Sequence, residues 1–281
     1  MNAQELIQEG KLAGALAALQ EQVRKDAANP KYRIFLFQLL CVLGQWNRAL
    51  TQLNVAGELD AANLPMVQTY REAIQCEALR GAIFNGARAP LIFGQPQPWL
   101  ALLLEALKAD AAGDPQHAAS ARAQAFELAP AVGGSIDGQR FEWLADADQR
   151  LGPVLETLVN GRYFWIPLQR ISRIELEAPV DLRDAVWTPA SFIWTNGAQS
   201  VGLIPTRYDG TVAAAANPGD EALLLARRTE WIGEGAGQGL GQRMLVSDAG
   251  DHPLMDVRLI EFDAQPDADA DAFSAEGAVH G

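Results

Sequence analysis

Two stretches of this chain are copies of one another. Gly10, Leu12, Ala15 and Leu19 recur as Gly44, Trp46, Ala49 and Leu53, every pair 34 residues apart. A third and weaker copy starts at Gly113, with Ala118 at the same offset of five and with Ala125 and Pro130 beyond it. A repeat of this length is one supersecondary unit that cannot bury its apolar face alone and must stack on a neighbour. The glycine ends the first helix of the unit, where a side chain would crowd a tight turn. The alanine lets the second helix lie close against the first, and the larger residue four positions on fills the next layer. Pro30 and Pro130 are read as stopping the second helices, because proline cannot continue one.

A period of 34 with Gly, then Leu or an aromatic, then Ala is the tetratricopeptide pattern. The middle copy is degenerate. Val67–Leu79 makes a good helix, but Arg88–Pro98 holds three prolines and a glycine, which exclude a regular second helix. Helix resumes at Trp99–Lys108. Residues 1–130 are thus expected to form a tetratricopeptide-like array of helical hairpins with an inserted loop.

After Ala131 the periodicity drops towards two. Asn160-Gly161 and Asn196-Gly197 each separate apolar runs, which is a strong hairpin signal because both residue types tolerate positive φ. Ile171–Glu177 alternates strictly and reads as a strand, Glu221–Arg228 as a short helix, and Arg243–Val246 with Met255–Phe262 as a closing strand pair. The alternating glycines from Gly233 to Gly241 miss the G-x-G-x-x-G phosphate fingerprint and read as a flexible loop. Residues 131–262 are expected to be a mainly antiparallel β domain, so the fold class is α+β. Residues 263–281 carry five acids and no base, and read as a disordered acidic tail.

Charge and composition exclude several function classes. With 22 Lys+Arg against 35 Asp+Glu the net charge is −13, and no basic block offsets it, so a nucleic-acid partner is not expected. The chain opens on a polar, acidic segment without a signal-peptide core. Its most apolar stretch, Ile34–Leu43, is too short to span a bilayer. Cys41 and Cys76 read as buried thiols of a reducing compartment. These features point to a cytoplasmic protein without a membrane partner.

Chemistry-bearing motifs are scarce. His117, His252 and His280 lack metal-ligand spacing, there is no G-x-S-x-G elbow, and no Walker A sequence is present. Asp146/Asp148 and Asp181/Asp184 read as solvated turns, with an acid/base or metal pair as the competing reading. No catalytic residue, metal site or cofactor is expected. The aromatics between Phe141 and Trp231 read mainly as a β core, with an exposed binding surface beside Arg162-Tyr163 or Arg207-Tyr208 as the other option.

Helical-hairpin arrays hold ligands on the concave wall made by the first helix of each unit. That wall would carry Ile34, Gln38 and Cys41 in the second copy, and Leu103 and Leu107 in the third. Such a groove suits an amphipathic helix, and these are the candidate partner-binding residues. Packing of the same positions on the next repeat or on the β domain fits the pattern equally.

The segments Phe35–Asp60, Met66–Arg80, Ile136–Glu156, Val159–Ile171, Leu182–Trp194, Gly202–Tyr208 and Pro253–Phe262 resemble the ImpE/SciE family, the TagJ accessory proteins of bacterial type VI secretion. The resemblance implies a non-enzymatic cytoplasmic accessory factor. It further implies binding to the N-terminal helix of the small (TssB-type) sheath subunit, in aid of sheath recycling by the ClpV unfoldase. A hydrolase or transferase working through Asp146/Asp148 or the glycine loop is the alternative from another class.

Overall fold

A computed structural model describes residues 2–95, 97–215, 220–233 and 237–264. The N-terminal part is helical: α1 (Ala3–Gln8), α2 (Leu12–Lys25), α3 (Pro30–Val42), α4 (Trp46–Leu59), α5 (Leu64–Phe84), α6 (Pro98–Ala111) and α7 (Pro115–Leu128). Each repeat glycine sits in a turn between two helices with left-handed backbone, at φ 77° for Gly10, 65° for Gly44 and 76° for Gly113. The N–H after it donates to the carbonyl five residues back: Lys11 to Leu6 at 2.7 Å, Gln45 to Leu40 at 2.8 Å and Asp114 to Ala109 at 2.9 Å. The repeat seen in the sequence is therefore a repeat of one helix-ending hydrogen-bond pattern. Pro30 does not stop a helix. It opens α3 at the first turn, where its missing N–H has no partner to lose.

The loop after α5 adds the short strand β1 (Leu91–Ile92). The strands that follow are β2 (Gly134–Ile136), β3 (Gln139–Phe141), β4 (Leu144–Asp146), β5 (Val154–Val159), β6 (Arg162–Pro167), β7 (Ile171–Leu176), β8 (Trp187–Trp194) and β9 (Gln199–Pro205). Two single-turn helices, α8 (Thr211–Ala214) and α9 (Glu221–Leu224), precede β10 (Thr229–Ile232), β11 (Gln238–Gly241), β12 (Met244–Ser247), β13 (Gly250–Pro253) and β14 (Leu259–Phe262). The main sheet runs β1-β6-β5-β9-β8-β7-β14-β2-β3. All its pairings are antiparallel except β1 with β6. Asn160-Gly161 makes the tight β5–β6 hairpin and Asn196-Gly197 the longer β8–β9 one. The chain is α+β, with helical hairpins ahead of a mostly antiparallel sheet.

Several details differ from expectation. β12 and β14 do not pair with each other; β12 joins β13 and β4, while β14 sits between β7 and β2. The helix expected over Glu221–Arg228 stops at Leu224, and Ala226 takes a positive φ. In the glycine run, residues 234–236 lie outside the described residues, Gln238–Gly241 pairs with β10, and a Cβ on Gly239 would stand 2.3 Å from the Tyr208 ring. Glycine here serves close packing on an aromatic face. Of the expected tail, residues 265–281 lie outside the described residues. Asp263 is tied to the sheet by its N–H to Gly133 and by its carboxylate to Arg140.

Strand alternation divides the apolar residues between two cores. Leu158, Tyr163, Trp165 and Trp187 face the helices and join one core with α2 to α6, while Leu155, Ile166, Phe192 and Trp194 fill the other. Among the described residues no helix is long and apolar enough to cross a membrane.

The turn geometry separates two substitutions. In Gly44→Ala the new methyl would meet Val212 at 2.4 Å as well as the left-handed backbone, whereas at Gly113 nothing lies within 4 Å. Gly113→Ala should lose roughly 1 kcal/mol in a denaturant titration, from the backbone alone. Gly44→Ala should lose clearly more, about 2–3 kcal/mol.

Candidate partner-binding surface

The wall expected to receive a partner is built from α3 and α6. On α3 every residue from Leu36 to Val42 is buried, so the second half of this helix is covered on all sides. Gln38 is buried where α3 packs against the turn that leads to β8. Cys41 is fully buried, burial pushes its thiol well above the usual range, and its carbonyl accepts from Arg207 at 3.4 Å. Leu103 and Leu107 are 1% and 2% exposed inside α6. Gln38, Cys41, Leu103 and Leu107 are therefore core residues, and the sheet-bearing half of the chain fills the trough. Ile34 alone of the five keeps partial exposure. Helical periodicity shows which face is apolar, but not what covers it.

The cover is held by α5. Its residues Tyr70, Glu77, Arg80 and Phe84 recur at spacings of three, four and seven, so they share the helix face turned to the sheet. Trp187 packs between Tyr70 and Trp46, with ring centroids at 5.7 and 5.9 Å, and its indole N–H donates to Glu77 at 2.8 Å. Arg80 forms a two-pronged pair with Glu156 at 2.6 and 3.1 Å and donates to the Arg207 carbonyl at 2.7 Å. Arg207 in turn reaches the carbonyls of Val42 and Leu224, each at 2.7 Å. Trp165, Tyr163 and Tyr208 are all buried, so the aromatics around Arg162 and Arg207 belong to the core.

Asp146 and Asp148 are not on a solvated turn. Both are buried, Asp148 on Arg150 and the Gly239 N–H, Asp146 on Arg243 and the Tyr208 hydroxyl. Arg243 also pairs with Glu156, which makes it the shared cation of two carboxylates. Burial works to raise Glu156, but Arg80 and Arg243 overcome it and hold the carboxyl at about 2. Asp146 has one guanidinium and a like charge beside it, and burial lifts it to about 6. Asp181 and Asp184 cap the turn Leu182–Ala185. His117 pairs with Glu105 at 2.7 Å and His252 with Ser247 at 2.9 Å, while His280 lies outside the described residues. Among the described residues no group of three His, Cys, Asp or Glu is placed to hold a metal.

Two of the open clefts among the described residues combine large apolar groups with a helix wall. One, of about 540 Å³, lies between α5 and the β5–β9–β8 strip and mixes Met66 and Val201 with Glu72 and Arg183. The other, of about 380 Å³, lies between the end of α7 and β4, with Phe126, Pro130, Trp143, Pro153 and Val246 among its lining. Sequence reasoning missed both, because each is formed by residues far apart in the chain.

A family model described as ImpE protein matches residues 138–261, and a tetratricopeptide repeat model matches residues 6–74. The type VI secretion system accessory component TagJ of Pseudomonas aeruginosa is 53% identical over 263 residues, covering 94% of this chain and 92% of that protein. The chain belongs to the ImpE family. The crystal structure of protein VPA1032 from Vibrio parahaemolyticus has the same fold as this ImpE protein, with TM-score 0.81 at 23% identity, over 94% of this chain and 98% of that one.

The charge cluster makes two predictions for this ImpE protein. Arg243→Met leaves two buried carboxylates without their common cation and should cost roughly 3–5 kcal/mol in chemical unfolding. Glu156 sits near 2 in the folded state against an ordinary 4.5, so between these values the folded protein binds fewer protons than the unfolded chain. The stability this group adds is present above pH 4.5 and is lost as pH falls towards 2. Glu156→Gln should therefore start less stable at neutral pH and show a shallower decline on acidification than the wild type.

Proposed function

We propose that this ImpE protein is a non-enzymatic accessory component of type VI secretion, an adaptor that binds the N-terminal helix of the small (TssB-type) sheath subunit. In this reading it works in the cytoplasm and assists the ClpV unfoldase in recycling the contracted sheath. The observation that carries it is the 53% identity, over nearly the whole of both chains, with the type VI secretion accessory component TagJ of Pseudomonas aeruginosa. The tetratricopeptide repeats support it, because stacked helical hairpins are a common scaffold for receiving peptides and helices. The apolar clefts support it as well, since an amphipathic helix docks by laying apolar anchors into a groove. Against a hydrolase or transferase working through Asp146 and Asp148 stands their pairing: both carboxylates are buried and engaged by Arg150, Arg243 and Tyr208.

The test is a calorimetric titration of the full chain with a synthetic peptide of the sheath subunit's N-terminal helix, alongside circular dichroism to establish folding. A saturable micromolar complex is the expected result. Absence of heat at high micromolar peptide, with folded protein, overturns the reading.

A further inference from the structure

We propose that the cleft between the end of α7 and β4 is the seat of the partner helix, and that this helix carries basic residues beside its apolar face. This rests on the adaptor reading and adds to it a place and a chemistry.

The apolar part of the argument is exposure. Phe126 and Trp143 line the cleft and keep 37% and 39% of their surface in water. Apolar groups of this size gathered at one opening mark an interaction surface. The opening is also held in shape. The Phe126 ring lies against Gly152, where a Cβ would be 2.4 Å from it, so no side chain there can push the wall outwards. On the far side, the backbone N–H groups of Glu142 and Trp143 donate to Asp248 at 2.8 and 3.4 Å, which fixes the strand end that bears the indole.

The polar part is charge. Exposed Asp248 sits on the backbone of Glu142 and Trp143 at the cleft wall, exposed Glu127 and Glu142 are the chain neighbours of Phe126 and Trp143, and no Lys or Arg lines the cleft. The hydrogen bond from the Glu142 N–H keeps Asp248 below the usual carboxylate range, so its charge persists at mildly acidic pH. An acidic border around an apolar floor selects a segment with Lys or Arg flanking its apolar side. The cleft beside α5 offers no such selection, because it carries Arg183 as well as Glu72.

Four full-length proteins decide the matter: wild type, Trp143→Ala, the double variant Glu127→Lys/Glu142→Lys, and Val201→Asp in the other cleft. Each is titrated with the fluorescein-labelled N-terminal helix peptide of the small sheath subunit, at low and high salt, after its melting temperature is recorded. A second peptide has its Lys and Arg replaced by Gln. Trp143→Ala and the double variant should each bind about ten-fold more weakly with unchanged melting temperature, and Val201→Asp should bind as the wild type does. The neutral peptide should bind more weakly to the wild type, and added salt should weaken only the charged one. Wild-type binding that neither cleft variant weakens, or that only Val201→Asp weakens, overturns the placement and leaves the adaptor reading intact. Equal binding of the neutral peptide overturns the basic flank. A folded wild type that binds neither peptide overturns the adaptor reading itself, and this inference with it.

Discussion

The grip of Arg80 and Arg243 on Glu156 is the interaction on which the arrangement of this protein depends. Glu156 lies in the middle of β5 on the side facing the helices, and is fully buried. An isolated carboxylate in such a place would be very costly. Two guanidiniums and the Tyr163 hydroxyl make it tolerable, and one of those guanidiniums comes from α5. Removing Glu156 leaves two buried guanidiniums short of their shared carboxylate, so the cluster ties helices to sheet. Tyr208 and Asp146 extend it to the small sheet of β4, β12 and β13.

That tie explains why the repeat region is not a free-standing groove. In an isolated helical-hairpin array the first helices line an open concavity. Here α3 is buried from Leu36 to Val42, with Arg207 bonded to its last carbonyls. The concavity is used to mount a sheet.

How much of this the sequence disclosed follows from the range of each interaction. The helix ends at Gly10, Gly44 and Gly113 were legible because a left-handed glycine closes its turn within six residues. The β5–β6 hairpin was legible for the same reason, Asn160 and Gly161 both having positive φ. Glu156 was not: its cations come from positions 76 and 87 residues away, and nothing local marks them as partners. That four of the five groove residues, Gln38, Cys41, Leu103 and Leu107, are buried was hidden for a related cause. Their apolar periodicity is genuine, but it is the same for a face that meets another protein and a face that meets its own β strands. In the sequence Trp143 groups with the β-core aromatics, since nothing in its neighbours along the chain shows that it stays in water.

The proline-rich interruption between α5 and α6 appears in the sequence as damage to the repeat. In the fold it lays Leu91 and Ile92 along β6 in parallel, and it thereby closes one border of the nine-stranded sheet with a strand two residues long. The opposite border is β3, only three residues. Wide sheets with long bare borders invite strands from other molecules. At both of its outer borders this broad sheet therefore ends in a strand of two or three residues, too short a template for another chain to extend.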